Sequence, residues 1–364
     1  MIGITSRALF DLDKANDVFR TEGLAAYRAY QRKNEDVPLS AGTGLPLVRG
    51  LLGINEQGQG RLVEVIVISR NDADSGMRIF NSIAHHGLDI SRGAFTDGRD
   101  ASVYLEPFHC DLFLSAEQAD VTHALEMRFP AALVCTPPEA IDDQVATEVR
   151  VAFDGDAVLF DDESERVFQE QGLDAFLERE AKLADQPMNP GPFKPFLMGL
   201  KLIQEHFSDE RPPIRTALVT ARNAPAHKRV VNTLRAWGVR VDETFFLGGI
   251  DKARVLAVLH PHIYFDDQMS HLEGARVRTP SAQVIPVGKQ IPLPFAEAVV
   301  VRPADGKPSA PAEKTQETSF PAFADRIFKQ TQKPARIRRK AKPVVVKSDE
   351  TEDIASDQAM TEGA

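Results

Sequence analysis

VISRNDADSGMRIFNSIAHHG, residues 67–87, and LVTARNAPAHKRVVNTLRAWG, residues 218–238, are the stretches that decide the fold. At a shift of 151 residues they align without a gap, and Ala73, Arg78, Asn81 and Gly87 meet Ala224, Arg229, Asn232 and Gly238. Each opens on an apolar or β-branched run and continues with helical periodicity, the pattern of a strand followed by a helix. Downstream, Phe95, Gly98, Asp100 and His109 meet Phe246, Gly249, Asp251 and His260 at the same shift. Upstream, at a shift of 149, Pro38, Gly42, Pro46, Gly50 and Leu51 meet Pro187, Gly191, Pro195, Gly199 and Leu200. At 143, Phe10-Asp11-Leu12-Asp13 meets Phe153-Asp154-Gly155-Asp156. A fixed internal period marks duplication. The chain therefore reads as two related halves, residues 1–145 and 146–300, each opening with a strand that ends in Asp-x-Asp.

Working outward, short apolar runs at Val63–Ser69, Val149–Phe153, Thr216–Thr220 and His262–Phe265 alternate with helical segments. That alternation predicts an α/β fold with a mainly parallel sheet, whose ligands gather at the carboxyl ends of the strands. Between Asp156 and Thr220 an insertion, about 162–214, carries helical pattern over Ser164–Glu180 and Phe193–Phe207 and is expected to form a small helical cap. Beyond Arg302 the pattern dissolves into Pro, Ala, Lys, Glu, Ser and Thr, so residues 303–364 are expected to form a disordered tail with one short helix at Ala322–Gln330.

Composition narrows the function. With 364 residues, 43% of them hydrophobic, the chain is long enough to fill the core of an enzyme. A net charge of −10 argues against nucleic acid as the main partner. The basic run from Lys333 to Lys347, followed by acids from Asp349 to Glu362, reads as a solvated tail, with an acidic-partner or nucleic-acid contact as the sharper alternative. Cys110 and Cys135 stand far apart with no CxxC, which suggests neither a disulfide framework nor a zinc site. The opening MIGITSRALFDLD reaches an Asp before any apolar leader forms, and no run approaches the roughly 18 apolar residues of a membrane span. A soluble, cytoplasmic protein with no membrane partner is expected.

Asp154 and Asp156 follow the strand Val149–Phe153, so both carboxylates would emerge at its carboxyl end. One can attack phosphorus while the other, two residues on, protonates the leaving oxygen and then activates water. Taken alone, such a pair is more often a surface feature. Three further elements supply what phosphoryl transfer needs. Thr220 ends a strand before a helix, where a hydroxyl either holds a phosphoryl oxygen or caps the helix. Lys252 offers a fixed ammonium, although a lone lysine is commonly solvated. Asp266-Asp267 ends another strand, and adjacent acids imply a cation, Mg²⁺ being suited to carboxylate oxygens. Lys228, on the helix after Thr220, is a rival for the lysine role. Phe193, Lys194 and Phe196 would stack on or orient a base, or else pack. Arg222 and Asn223 lie near the phosphate by sequence, with a surface or capping role equally open.

VAFDGDAVLFDDESERV, LVTARNAPA, LRAWG and IYFDDQMSHLEGA, together with TSRALFDLD and RIFNSIAHHGLDISR, resemble the type I cytosolic 5′-nucleotidase family of the haloacid dehalogenase-like phosphatases. The resemblance covers roughly residues 1–290. It implies a three-layer haloacid dehalogenase-like fold and Mg²⁺-dependent hydrolysis of nucleoside 5′-monophosphates to nucleoside and phosphate. Carried over by position, it implies Asp154 as nucleophile and Asp156 as general acid and base. The Asp154 carboxylate, the Asp156 carbonyl and Asp266 would hold Mg²⁺, with Asp267 either joining or orienting Lys252. Thr220 and Lys252 would grip phosphate, with Arg222, Phe193 and Lys194 also at the substrate. A phosphatase of another small monoester and a non-catalytic nucleotide-binding protein remain the competing readings.

In the first half, Asp11 and Asp13 reproduce the acid pair and Ser69 replaces Thr220, but Ala101 stands at the Lys252 position and Ser115-Ala116 at Asp266-Asp267. Without the lysine and the metal ligands this half is expected to be degenerate, serving structure or binding a nucleotide effector. The sequence leaves a homo-oligomer open.

Overall fold

The computed structural model describes residues 1–57, 60–138, 148–207 and 212–286. The expected tail and its short helix lie outside the described residues. Strands β1 (Ile2–Ile4), β2 (Val65–Ser69), β3 (Arg92–Phe95), β4 (Leu112–Ser115) and β5 (Ala131–Val134) come from the first half. The second contributes β6 (Val149–Phe153), β7 (Ile214–Thr220), β8 (Glu243–Phe246), β9 (Ile263–Asp266) and β10 (Ser281–Gln283). They form one sheet in the order β3-β2-β1-β4-β5-β10-β9-β6-β7-β8. Read inward from either edge, each half repeats the same sequence: third, second, first, fourth and fifth strand. Neighbours within a half pair in parallel, whereas β5 and β10 meet antiparallel with Val134 opposite Ala282. The sheet is therefore mixed at one seam.

Strand residues alternate between two covered faces, which explains why these runs carry so little polar alternation. On one face, Ile4, Val67, Leu114, Phe153, Leu218 and Phe265 belong to a single core that runs through both halves. On the other, Ile66, Ile68 and Phe113 form one cluster, and Ala152, Val219 and Tyr264 form a second.

The residues shared between the halves hold the same backbone in place. Arg78 Nε donates to the Val37 carbonyl at 3.0 Å, and Arg229 Nε to Gln186 at 3.0 Å. Asn81 Nδ2 reaches the Glu35 carbonyl at 3.1 Å, and Asn232 Nδ2 reaches Ala184 at 3.0 Å. The helices Ala73–His85 and His227–Ala236 thus tie down the chain returning from a helical hairpin. That hairpin is Asp13–Glu22 and Leu24–Lys33, turning at Gly23 (φ 86°), and in the second half Glu163–Lys182, turning at Gly172 (φ 85°). Gly191 has another reason to be glycine: a Cβ there would lie 2.2 Å from the Phe160 carbonyl oxygen.

Two expectations change. The backbone sets Thr5, not Asp11, opposite Asp154: Thr5 N–H donates to Leu114 (2.9 Å) as Asp154 N–H donates to Phe265 (2.8 Å). The first strand ends at Ile4, and Asp11 and Asp13 are exposed on the loop and helix beyond it. The first half therefore carries no acid pair at its strand end. Within the segment expected to form a cap, helix Lys194–His206 buries Phe196, Leu197 and Leu200 in the sheet-spanning core and so packs on the sheet, while Glu163–Lys182, the helix expected to cover the site, reaches it through Glu180.

Candidate active site

The carboxyl ends of three neighbouring strands bring the predicted residues together. Asp154 follows β6, Thr220 ends β7, and Asp266-Asp267 ends β9, while Lys252 opens the helix Lys252–Leu259. Lys252 Nζ lies 2.9 Å from Asp154 Oδ1 and 2.8 Å from Asp266 Oδ2. All three are at least nine-tenths buried, with exposures of 5% for Asp154, 3% for Lys252 and 0% for Asp266. Burial of a lone ammonium would lower its pKa, but Asp154 and Asp266 reverse that and hold Lys252 above its usual value. Burial, with Asp266 and Asp156 adding their charge, raises the Asp154 carboxyl against the pull of Lys252.

Asp266 is the best-satisfied acid of the site. Besides Lys252, it accepts from the Gln268 N–H at 2.8 Å and from the Tyr264 hydroxyl, and His271 Nδ1 stands 3.2 Å away. Against the cost of burial, these contacts hold its carboxyl below the usual range. Asp267 is the opposite case. Its Oδ1 is buried with no hydrogen-bond partner among the described residues, and burial beside Asp154 and Asp266 pushes its carboxyl up to about 8. Asp266, rather than Asp267, is the acid of this pair that Lys252 contacts.

Arg222 is almost fully buried and grips Asp156 with two nitrogens, at 2.7 Å and 2.6 Å. A third reaches Glu180 on the covering helix at 2.5 Å, and Glu180 also binds Arg229 at 2.8 Å and Ser164 at 2.9 Å. Although burial lowers the Arg222 pKa, Asp156 and Glu180 raise it overall. Its guanidinium lies 5.3 Å from the Phe176 ring centre, which ties the covering helix to the acid pair. Thr220 is 1% exposed, and its Oγ1 accepts from the Arg222 N–H at 3.2 Å. A Cβ at Gly155 would stand 3.4 Å from that hydroxyl, so the threonine borders the Asp154–Asp156 turn.

The other candidates are placed elsewhere. Lys228 is exposed and pairs with Asp185 at 3.4 Å. Phe193 is fully buried against Phe265, Phe153 and Phe196, and Lys194 Nζ lies 4.4 Å over the Trp237 ring. Their aromatic pattern is a packing pattern. Glu180 and His271 carried no warning in the sequence: one is a glutamate in a charged helix, the other a histidine beyond the acid pair. For Glu180 the only trace was the repeat, which sets it against Gln31.

Asp154, Asp266 and His271 each offer a ligand atom within 4.8 Å of the others. This buried cluster can coordinate a divalent metal such as Mg²⁺. The orphaned Asp267 oxygen fits such an ion, because Lys252 is shared between Asp154 and Asp266 and Arg222 between Asp156 and Glu180, which leaves the carboxylates in excess of the cations.

A buried carboxylate, a lysine and an acid pair gathered at the ends of parallel strands form an arrangement of the haloacid dehalogenase-like superfamily. The chain belongs within that superfamily to the 5′-nucleotidase family, whose model matches residues 1–290. It is 38% identical over 288 residues to human cytosolic 5′-nucleotidase 1B, a match covering 76% of this chain and 47% of the human protein. The chain thus spans about half the length of that relative. No solved structure matches it.

Proposed function

We propose that the second half hydrolyses nucleoside 5′-monophosphates to nucleoside and phosphate through an aspartyl-phosphate. The observation that carries the reading is the buried Asp154–Lys252–Asp266 triad at the carboxyl ends of β6 and β9. An Asp154 oxygen attacks phosphorus, the P–O bond to the 5′ oxygen breaks, and Asp156 delivers a proton to that oxygen. Asp156 then takes a proton from water, which attacks the acyl phosphate, releases phosphate and restores Asp154. Lys252 and the Thr220 hydroxyl hold phosphoryl oxygens, and Lys252 also fixes the nucleophile. Mg²⁺, held by Asp154, the Asp156 carbonyl and Asp266 with Asp267, would offset the negative charge of the phosphoryl group. Arg222 positions Asp156 through its paired hydrogen bonds.

For the nucleoside, the covering helix offers exposed Phe168 and Leu173, with Phe168 set edge-on to Phe176 at 6.1 Å. An exposed aromatic beside the ring that covers Arg222 suits a nucleobase better than Phe193 does. We place the enzyme in the cytoplasm, in keeping with the name of its human relative. Among the described residues no helix is long and apolar enough to cross a membrane. The test is phosphate release from ribo- and deoxyribonucleoside monophosphates and from sugar phosphates, with and without Mg²⁺. Mg²⁺-dependent turnover restricted to the nucleotides is expected; preference for sugar phosphates would assign another monoester, and no turnover a binding role.

A further inference from the structure

The first-half counterpart of the Asp154 site is a cleft of about 420 Å³, a volume in the range of small-molecule sites. We propose that it is a second, non-catalytic site for an uncharged ligand with a ring and hydroxyls, a nucleoside rather than a nucleotide. The floor of the cleft is built for hydrogen bonding. Thr5 occupies the position of Asp154, is 6% exposed, and its Oγ1 has no partner among the described residues. A buried hydroxyl without a partner is costly unless a ligand supplies one. Beside it, the Ser6 and Ser69 hydroxyls lie 2.8 Å apart, and the Asn71 Oδ1 accepts from the Tyr27 hydroxyl at 3.0 Å. Phe19 and Leu24, at the hairpin turn, are 47% and 48% exposed and give the cleft an apolar wall.

Charge selects the ligand class. In the second half, Lys252 and the surplus acid Asp267 suit an anion and its cation. Here Ala101 replaces Lys252. The two arginines of the lining are already matched, Arg7 to Glu117 at 2.5 Å and Arg70 to Asp120 at 3.0 Å. Asp72 and Asp97 are paired with Arg28. A phosphate dianion in this cleft would have to displace Glu117 or Asp120 from its arginine. Hydroxyls and a ring meet Thr5, Asn71 and Phe19 with no such exchange. The choice of a nucleoside within this class rests on the proposed reaction, which releases one; the cleft itself does not depend on it.

Hydrogen–deuterium exchange on the full chain in EDTA, with adenosine, AMP or inorganic phosphate, tests this site. Adenosine should slow exchange across Thr5–Leu12 and Ser69–Asp72, with AMP at least about tenfold weaker there and phosphate without effect. Thr5→Val should weaken the adenosine effect about five- to tenfold, the worth of one buried hydrogen bond. Should that variant misfold, Phe19→Ala alters an exposed side chain and should weaken it too, leaving phosphate release unchanged. Absence of adenosine protection, equal protection by AMP or phosphate, or protection indifferent to both substitutions would overturn the proposal. Mg²⁺-dependent phosphate release by the same preparation separates this failure from failure of the nucleotidase reading.

Discussion

Asp267 is the acid of the site whose buried Oδ1 has no hydrogen-bond partner among the described residues. Its carboxyl is raised to about 8 by burial beside Asp154 and Asp266, so the folded chain holds a proton that the unfolded chain has released. Between pH 4 and 8, approximately, this group therefore lowers stability as pH rises. Mg²⁺ needs the carboxylate and should stabilise the protein more at pH 8 than at pH 6. Asp267→Asn mimics the protonated form. In metal-free buffer at pH 8 it should melt about 2–4 °C above the parent, by the usual conversion of roughly 1 kcal/mol, and the difference should shrink at pH 6. Mg²⁺ should raise its melting temperature less than the parent's. A variant gap that widens toward acid pH would show that the carboxylate is compensated. The sequence disclosed the acid pair but not the division of labour, because Asp266 and Asp267 differ only in which backbone and side-chain donors the strand end presents to them.

The hairpin Glu163–Lys182 connects covering element to chemistry through Glu180, Arg222 and Asp156. Its exposed Phe168 can be cut back without opening the core. Phe168→Ala should raise KM for nucleoside monophosphates about five- to twentyfold, the worth of about 1–2 kcal/mol of stacking, with kcat within threefold. Steady-state kinetics on a nucleotide and on a phosphate ester without a base checks this, since the second substrate should not respond. Strands β6, β7 and β9 were legible because each is an apolar run beside a helical pattern. β1 and β10 span three residues, too few for periodicity, and β3 and β8 are partly exposed edge strands, so these four exist through pairing with their neighbours. In the sequence Phe193 and Phe196 satisfy a base-binding pattern and a core pattern equally well, and in the structure both are buried in the core.

At the scale of the molecule, the periodic identities of the sequence coincide with matching backbone contacts, made by Arg78 and Asn81 and by Arg229 and Asn232. The register of the first Asp-x-Asp was not readable. Phe10-Asp11 resembles Phe153-Asp154 in letters, but sheet pairing fixes Thr5 at the nucleophile position, and side-chain identity does not enter that choice. The antiparallel β5–β10 seam was also hidden, since pairing across it involves only two residue pairs. Catalytic and metal-binding candidates all lie before residue 272, so truncation after Arg302 should leave phosphate release within about twofold and the melting temperature within a few degrees. A large loss in either would assign the tail a role in the fold or the site.

The most direct test of the central claim, that one half alone performs chemistry, compares phosphate release by Asp154→Asn and Asp11→Asn, each verified by circular dichroism. Asp154→Asn should lose at least about a thousandfold, as expected for a covalent nucleophile, while Asp11→Asn, altered on an exposed loop, stays within about twofold of the parent. Retained Mg²⁺-dependent turnover in Asp154→Asn, or its loss in Asp11→Asn, would contradict the assignment.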